Sequence, residues 1–437
     1  MFRLLALASV AFFALLCRQA RAEECQDIMP VWSGHPVGFC LLTHGSRQFV
    51  AFYDADRQMT LGVRTRDSSD WQFARLPEKL GWDSHNYVTM AIDRGGFLHV
   101  SGNMHGNPLV YFRSRKPFDI HSMERIPAMV GERESRVTYP VFMEGPRGEL
   151  IFTHRDGGSG NGDQIYNVYD VSRKRWRRLL DTPLTSGEGK MNAYFHGPKR
   201  GPDGFYHLVW VWRDTGDCAT NHDLSYARSR DLVHWETSAG KPLKLPITLA
   251  TGEVIDPVPP GGGIINGNTI IGFDSRGRVV VSYHKYDDQG RTQLYNARLE
   301  DGAWKIYRTS DWDYRWAFSG GGSIIWEIGF GPVTAKDGRL TQSWRHVKHG
   351  SGTWILDEAT LRPTGLLPAP AIGSSPGRVD PSFAGARQRS AADSGRSGIP
   401  GVSYVLRWET LDTNRDRPRE GPLPPPSMLR ICRTGPH

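Results

Sequence analysis

The chain has 437 residues, 38% hydrophobic and 23% charged, with 49 Gly, 29 Pro and 14 Trp. That is too long for one minimal core, too apolar for a disordered chain and too poor in long apolar runs for a helical membrane protein. The formal net charge of +8 fits ordinary solubility or an acidic ligand, and no clustered Lys/Arg stripe marks a nucleic-acid surface.

In chain order, residues 4–16 are apolar, follow Arg3 and lead to Ala20-Arg21-Ala22. A stretch this short does not span about 30 Å of hydrocarbon as a helix. A basic start, a short apolar run and a small-x-small end predict a secretory signal over residues 1–22. One mature domain, residues 23–437, is expected in the periplasm or outside the cell. Without Arg3, Arg18 and Arg21 its net charge falls from +8 to +5. In that oxidising space Cys25, Cys40, Cys218 and Cys432 form an even set that allows three pairings, among which the sequence does not choose. The spacing from Cys218 to His222 lacks a second ligand pair, so no metal site is assigned.

From Gly45 onward one unit recurs: a β-rich segment, a Gly turn and a second β-rich segment. The turn glycines are Gly45, Gly96, Gly148, Gly204, Gly277, Gly338 and Gly401, at steps of 51, 52, 56, 73, 61 and 63 residues. Third β-rich segments follow at residues 109–113, 164–169, 224–228 and 293–298, and Trp71, Trp176, Trp235 and Trp304 close several units. Repeats of this length, holding three or four short strands each, predict an all-β, seven-bladed β-propeller. Residues 366–400, rich in Ala, Gly, Pro, Ser and Arg, read as a flexible loop, and residues 427–432 are expected to close the ring by pairing with the N-terminal blade.

Antiparallel strands flanking each turn bring residues about ten before and eight after the glycine to the same end of the sheet. His85, Tyr139, Asn192 and Asn266 stand before the turns; His105, His154, Arg155, Arg213, His284, Tyr286 and Arg345 stand after them. One mouth of the ring therefore gathers His, Tyr and Arg without a pair of carboxylates. Glycoside hydrolysis by an acid and a carboxylate base or nucleophile wants two Asp or Glu, whereas Asp83, Asp156 and Asp214 read as orienting partners or solvated loop residues. The set suits β-elimination at a uronate: Arg stabilises charge developing on the carboxylate, while His and Tyr move the two protons. His99 and His207, inside strands, read as structural, and Trp210 and Trp212 as core packing rather than sugar platforms.

The segments 82–86, 98–105, 210–213 and 221–235 resemble the BNR-repeat family of seven-bladed propellers, which includes ulvan lyases and L-rhamnose-α-1,4-D-glucuronate lyases. The resemblance runs over residues 31–364 and resumes at 404–429. It implies a catalytic group of two histidines about twenty residues apart, a tyrosine and a uronate-neutralising arginine, matched here by His85, His105, Tyr139 and Arg155. Asn86, His154, Arg213, His284, Tyr286 and Arg315 are the accompanying candidates for substrate binding. The expected protein is a secreted lyase of a rhamnose- and glucuronate-containing acidic polysaccharide, acting as a monomer with no membrane span and no nucleic-acid partner. No cofactor is expected to be required, with room left for a structural divalent cation such as Ca2+. A glycoside hydrolase, rhamnosidase- or sialidase-like, or a non-catalytic glycan-binding propeller are the alternatives on the same scaffold.

Overall fold

A computed structural model describes residues 24–368 and 385–435. Among them the chain is strand and turn throughout, apart from the two short 3-10 turns Ile120–Ser122 and Cys218–Thr220. No helix among these residues is long and apolar enough to cross a membrane. The expected signal segment lies outside the described residues.

The strands form six hydrogen-bonded sheets, three of them four-stranded, and most are antiparallel meanders in chain order. Cys40–His44, Arg47–Tyr53, Gln58–Thr65 and Gln72–Lys79 make the first. The largest sheet joins two such meanders through one parallel bridge, Phe273 to Thr334. All seven turn glycines fall between the first and second strand of a meander, with φ between 60° and 82°. Gly96 shows why another residue would not serve: a Cβ there would lie 2.7 Å from the Phe118 ring, besides adopting a left-handed backbone. The same turn is tightened by Asp93, whose carboxylate accepts from the backbone N–H of Gly95 and Phe97.

The predicted closing pair exists, with one difference in where it lies. Ser427–Thr434 pairs with Glu24–Val31, and Cys25 is bonded to Cys432 across 407 residues of chain. Both strands belong to the last sheet, beside Ser403–Thr410 and Arg387–Ala392, not to the first. Cys40 and Cys218 are unpaired. Within the stretch read as a flexible loop, residues 369–384 lie outside the described residues, but Arg387–Ala392 is a strand paired with Ser403–Thr410. Its alternating exposure and its arginines suit a sheet edge, where charge discourages further pairing; composition alone hides this, because a polar edge strand lacks the β-branched residues of an interior one.

The core lies between adjacent sheets. Trp210 and Trp212 are fully buried in Tyr206–Arg213 and serve packing, as expected. His99 and His207 are buried too, each with Nδ1 facing a tyrosine hydroxyl, Tyr111 at 2.8 Å and Tyr226 at 2.7 Å. Trp176 closes its meander against Tyr169 and donates its indole N–H to Tyr111.

Candidate active site

Loops preceding the first strand of several sheets, and the ends of the second strands, meet around a cavity of about 200 Å3. His85, His105, Tyr139, Tyr194 and Arg213 line it, with Ser159, Asn266, Ser323 and Trp326 among the other walls. None of the lining residues is Asp or Glu.

Backbone geometry places each group. His85 sits in the loop leading into Val88–Ile92, and His105 opens the short strand His105–Asn107, where it opposes Thr138. Tyr139 falls in a register break between Thr138 and Val141 and has φ of 56°. A left-handed bulky residue costs of order 1–3 kcal/mol and persists only where its surroundings hold it. Thr138 pairs with Arg155 on the neighbouring strand, which brings the guanidinium over the Tyr139 ring at 4.9 Å and the Tyr194 ring at 5.5 Å. Gly162 leaves room for that arginine, since a Cβ there would lie 2.8 Å from Arg155 Cδ.

Asp83 organises the histidine pair. One of its carboxylate oxygens accepts from His85 Nδ1 at 2.7 Å and the other from His105 Nδ1 at 2.6 Å, and the two imidazoles stack at 4.3 Å. These bonds require Nδ1 of both rings to carry the proton, leaving Nε2 as the nitrogen open to a substrate. The three side chains lie close enough to hold a cation, but one carboxylate bridging two N–H groups accounts for their closeness by itself.

Charge separates the titratable groups. Burial alone would lower the pKa of His85, but the nearby carboxylates of Asp416 and Asp83 outweigh that and raise it to about 9. Burial also opposes ionisation of Tyr194, yet the guanidinium groups of Arg155 and Arg213 and a bond from Ser159 bring its hydroxyl below the usual tyrosine range. Tyr139 moves the other way: burial and the neighbouring Tyr194 hold its hydroxyl protonated, against Arg155 and Arg213.

Of the residues singled out in the sequence, His85, His105, Tyr139 and Arg213 share the cavity wall. Arg155 stands behind the two tyrosines, 2% exposed, with no hydrogen-bond acceptor for its three guanidinium nitrogens. Asn86, His154, His284, Tyr286 and Arg315 do not line this cavity. His154 is fully buried, bonded to the Arg133 carbonyl on the opposite strand face from Arg155, as alternation along a strand dictates. His284 packs on Trp316 and Phe318. Tyr286 donates to the Trp316 carbonyl beneath the Arg315 guanidinium, and the Asn86 backbone carbonyl accepts from Tyr53. Tyr194 escaped notice although it lies ten residues before Gly204, inside the spacing that selected its neighbour Asn192. Asp416 has no sequence signal at all.

The chain belongs to the BNR repeat-containing family, whose sequence profile matches residues 47–312. Over 68 residues it is 38% identical to the short isoform of an ulvan lyase from Alteromonas sp. (strain LOR); the match spans 15% of this chain and 12% of that protein's length. The fold resembles that of the polysaccharide lyase Uly1, with a TM-score of 0.64 at 13% identity over 95% of this chain and 99% of that one. It also resembles a PL25 ulvan lyase, with a TM-score of 0.60 at 13% identity over 90% and 94% of the two chains. That lyase has been solved bound to -[GlcA(1-4)Rha3S]-.

Proposed function

We propose that this protein is a polysaccharide lyase that breaks an acidic glycan at a uronate by β-elimination. The observation that carries the reading is the cavity wall: two histidines, two tyrosines and an arginine, with no carboxylate among them. Hydrolysis through a pair of carboxylates has no groups to work with there, and Asp83 is committed to the two imidazoles.

In the proposed reaction Tyr194, the hydroxyl held closest to ionisation, takes the proton from the carbon next to the uronate carboxylate. The released electron pair forms the carbon–carbon double bond, the bond to the glycosidic oxygen breaks, and the His85 imidazolium protonates that oxygen as it leaves. Raising the His85 imidazolium and lowering the Tyr194 hydroxyl bring the acid and the base toward the same working pH. Arg155 and Arg213 supply positive charge for the carboxylate as its oxygens gain negative charge. His105 shares Asp83 with His85 and keeps the acid in register, and Tyr139 forms the wall between them.

The scaffold in this reading is a seven-bladed propeller, the largest sheet dividing at the Phe273–Thr334 bridge into two blades. The glycan is one carrying glucuronate beside rhamnose, the sugars bound to the PL25 ulvan lyase. The Cys25–Cys432 bond supports a site of action in the periplasm or outside the cell. A monomer suffices, and the donors proposed for the chemistry are all side chains of this chain.

The test is a screen of acidic polysaccharides with protein lacking residues 1–22. An ultraviolet absorbance rise from the unsaturated uronate supports elimination. Reducing ends appearing without that absorbance would mean hydrolysis, and binding with no product a lectin-like role.

A further inference from the structure

We propose that Asp416 is a positioning residue, which fixes the His85 imidazole and ties it to the loop forming the opposite wall of the cavity; the role in turnover rests on the lyase reading above. Asp416 lies in the connection between Ser403–Thr410 and Ser427–Thr434, 332 residues from Ser84, the neighbour of His85. One carboxylate oxygen accepts from the Ser84 N–H at 3.0 Å and the Ser84 hydroxyl at 2.8 Å, and from His35 Nε2 at 3.2 Å. The other accepts from the Ser323 N–H at 2.7 Å and faces His85 Nδ1 at 3.4 Å. A single side chain, 9% exposed, thus joins four segments of chain: those of His35, of Ser84 and His85, of Ser323, and its own.

The surrounding backbone is built to keep it there. Arg415 and Asp416 are consecutive left-handed residues, with φ of 53° and 56°, an arrangement non-glycine residues adopt only when neighbours impose it. Arg415 donates to the carbonyls of Ser319 and Gly321. Gly322 packs so closely that a Cβ would fall 2.4 Å from the Arg415 carbonyl oxygen. The loop carrying Ser323, Ile324 and Trp326 into the cavity wall is therefore clamped to the same carboxylate that faces His85.

The charged and titratable groups facing His85 are Asp83 on its own loop, Asp416 from the last sheet, the stacked His105 and the Tyr139 ring at 5.9 Å. Asp83 divides its two oxygens between two histidines. Asp416 is the carboxylate that His85 does not share with His105, so its loss should alter His85 selectively.

The experiment compares the parent with Asp416→Asn, which keeps the shape and one acceptor oxygen, for either Ser84 or Ser323, but removes the charge. The His85 ring is titrated by NMR in the ligand-free protein, its signal assigned by its loss in His85→Asn, and kcat and KM are measured against pH on an acidic glycan. We expect the His85 titration to fall by about one unit or more, the alkaline limb of kcat to move down with it, and KM to change less than kcat. An unchanged His85 titration in a folded Asp416→Asn protein overturns the proposal. Should that variant fail to fold, Asp416→Glu reads the same contact: a parent-like titration with kcat reduced about tenfold supports positioning, and an unchanged kcat overturns it. The NMR arm needs no turnover, so a shifted His85 in a protein that cleaves no acidic glycan leaves the positioning intact and removes the lyase reading alone.

Discussion

Tyr139 and Tyr194 face each other with ring centroids 5.9 Å apart, and the site drives their hydroxyls in opposite directions. Arg155 reaches over both rings, but Arg213 lies over Tyr194 and that hydroxyl also meets Ser159. In the proposed elimination, the second cation and the hydroxyl partner favour Tyr194 over Tyr139 as the base. Replacing either tyrosine by Phe deletes only the hydroxyl. Tyr194→Phe should lower kcat by about 10²- to 10⁴-fold with the melting temperature nearly unchanged, and Tyr139→Phe should cost less. The reverse ranking in steady-state assays would exchange the two roles.

The pH profile follows from the same charges. Tyr194 acts ionised, so the rate should rise with pH through a limb below the ordinary tyrosine value near 10. His85 acts protonated, so the rate should fall as pH passes about 9. Asp83→Asn weakens the hold on the imidazolium and should move the descending limb to lower pH. A descending limb that stays in place in this variant assigns the acid to another group.

Arg155 carries a charge behind the tyrosines with no acceptor of its own. Its replacement by Ala should cost about 10²- to 10³-fold in kcat, the usual loss for one charge-stabilising donor. Near-normal turnover in this variant, with Arg213→Ala strongly impaired, would show that the charge behind the tyrosines is dispensable and that Arg213 on the cavity wall neutralises the carboxylate.

Acid should destabilise the fold through groups outside the site. Burial pushes His154 down to about 4 and His284 down to about 3, against about 6.5 in the unfolded chain. Above that unfolded value both states are neutral and the fold is unaffected. As pH falls below it the unfolded chain takes up protons the folded one refuses, so stability declines, by about 2 kcal/mol per histidine at pH 5. Melting curves at pH 7 and pH 5 should show the drop, smaller by one such contribution in a folded His284→Gln variant.

The pairing of the terminal strands predicts a dependence on oxidation. Cys25 and Cys432 join the first and last described strands of one sheet, and their replacement by Ser should lower stability by about 2–5 kcal/mol. Chemical denaturation of the double variant measures this, and an unchanged midpoint would show that strand pairing alone holds the two terminal strands together.

How much of this was legible in the chain depends on the range of the signal. The turn glycines were readable because tight hairpins demand positive φ, and all seven carry it. His85, His105, Tyr139 and Arg213 were reachable because their offsets from those turns are local arithmetic. The offsets overreached at His154 and His284, since counting residues to one end of a strand does not say which face a side chain takes. Arg387–Ala392 was hidden by its composition, and Asp416 by distance: no periodicity connects a residue of the last sheet to a histidine loop 332 positions earlier.

The central claim is that the bond is broken by elimination, and product mass reads this most directly. A defined oligosaccharide containing glucuronate and rhamnose is digested and the fragments are weighed. Elimination predicts fragments whose masses sum to that of the substrate, with the double bond on the new uronate end. Fragments that together exceed the substrate by one water per cleavage would contradict it and establish hydrolysis.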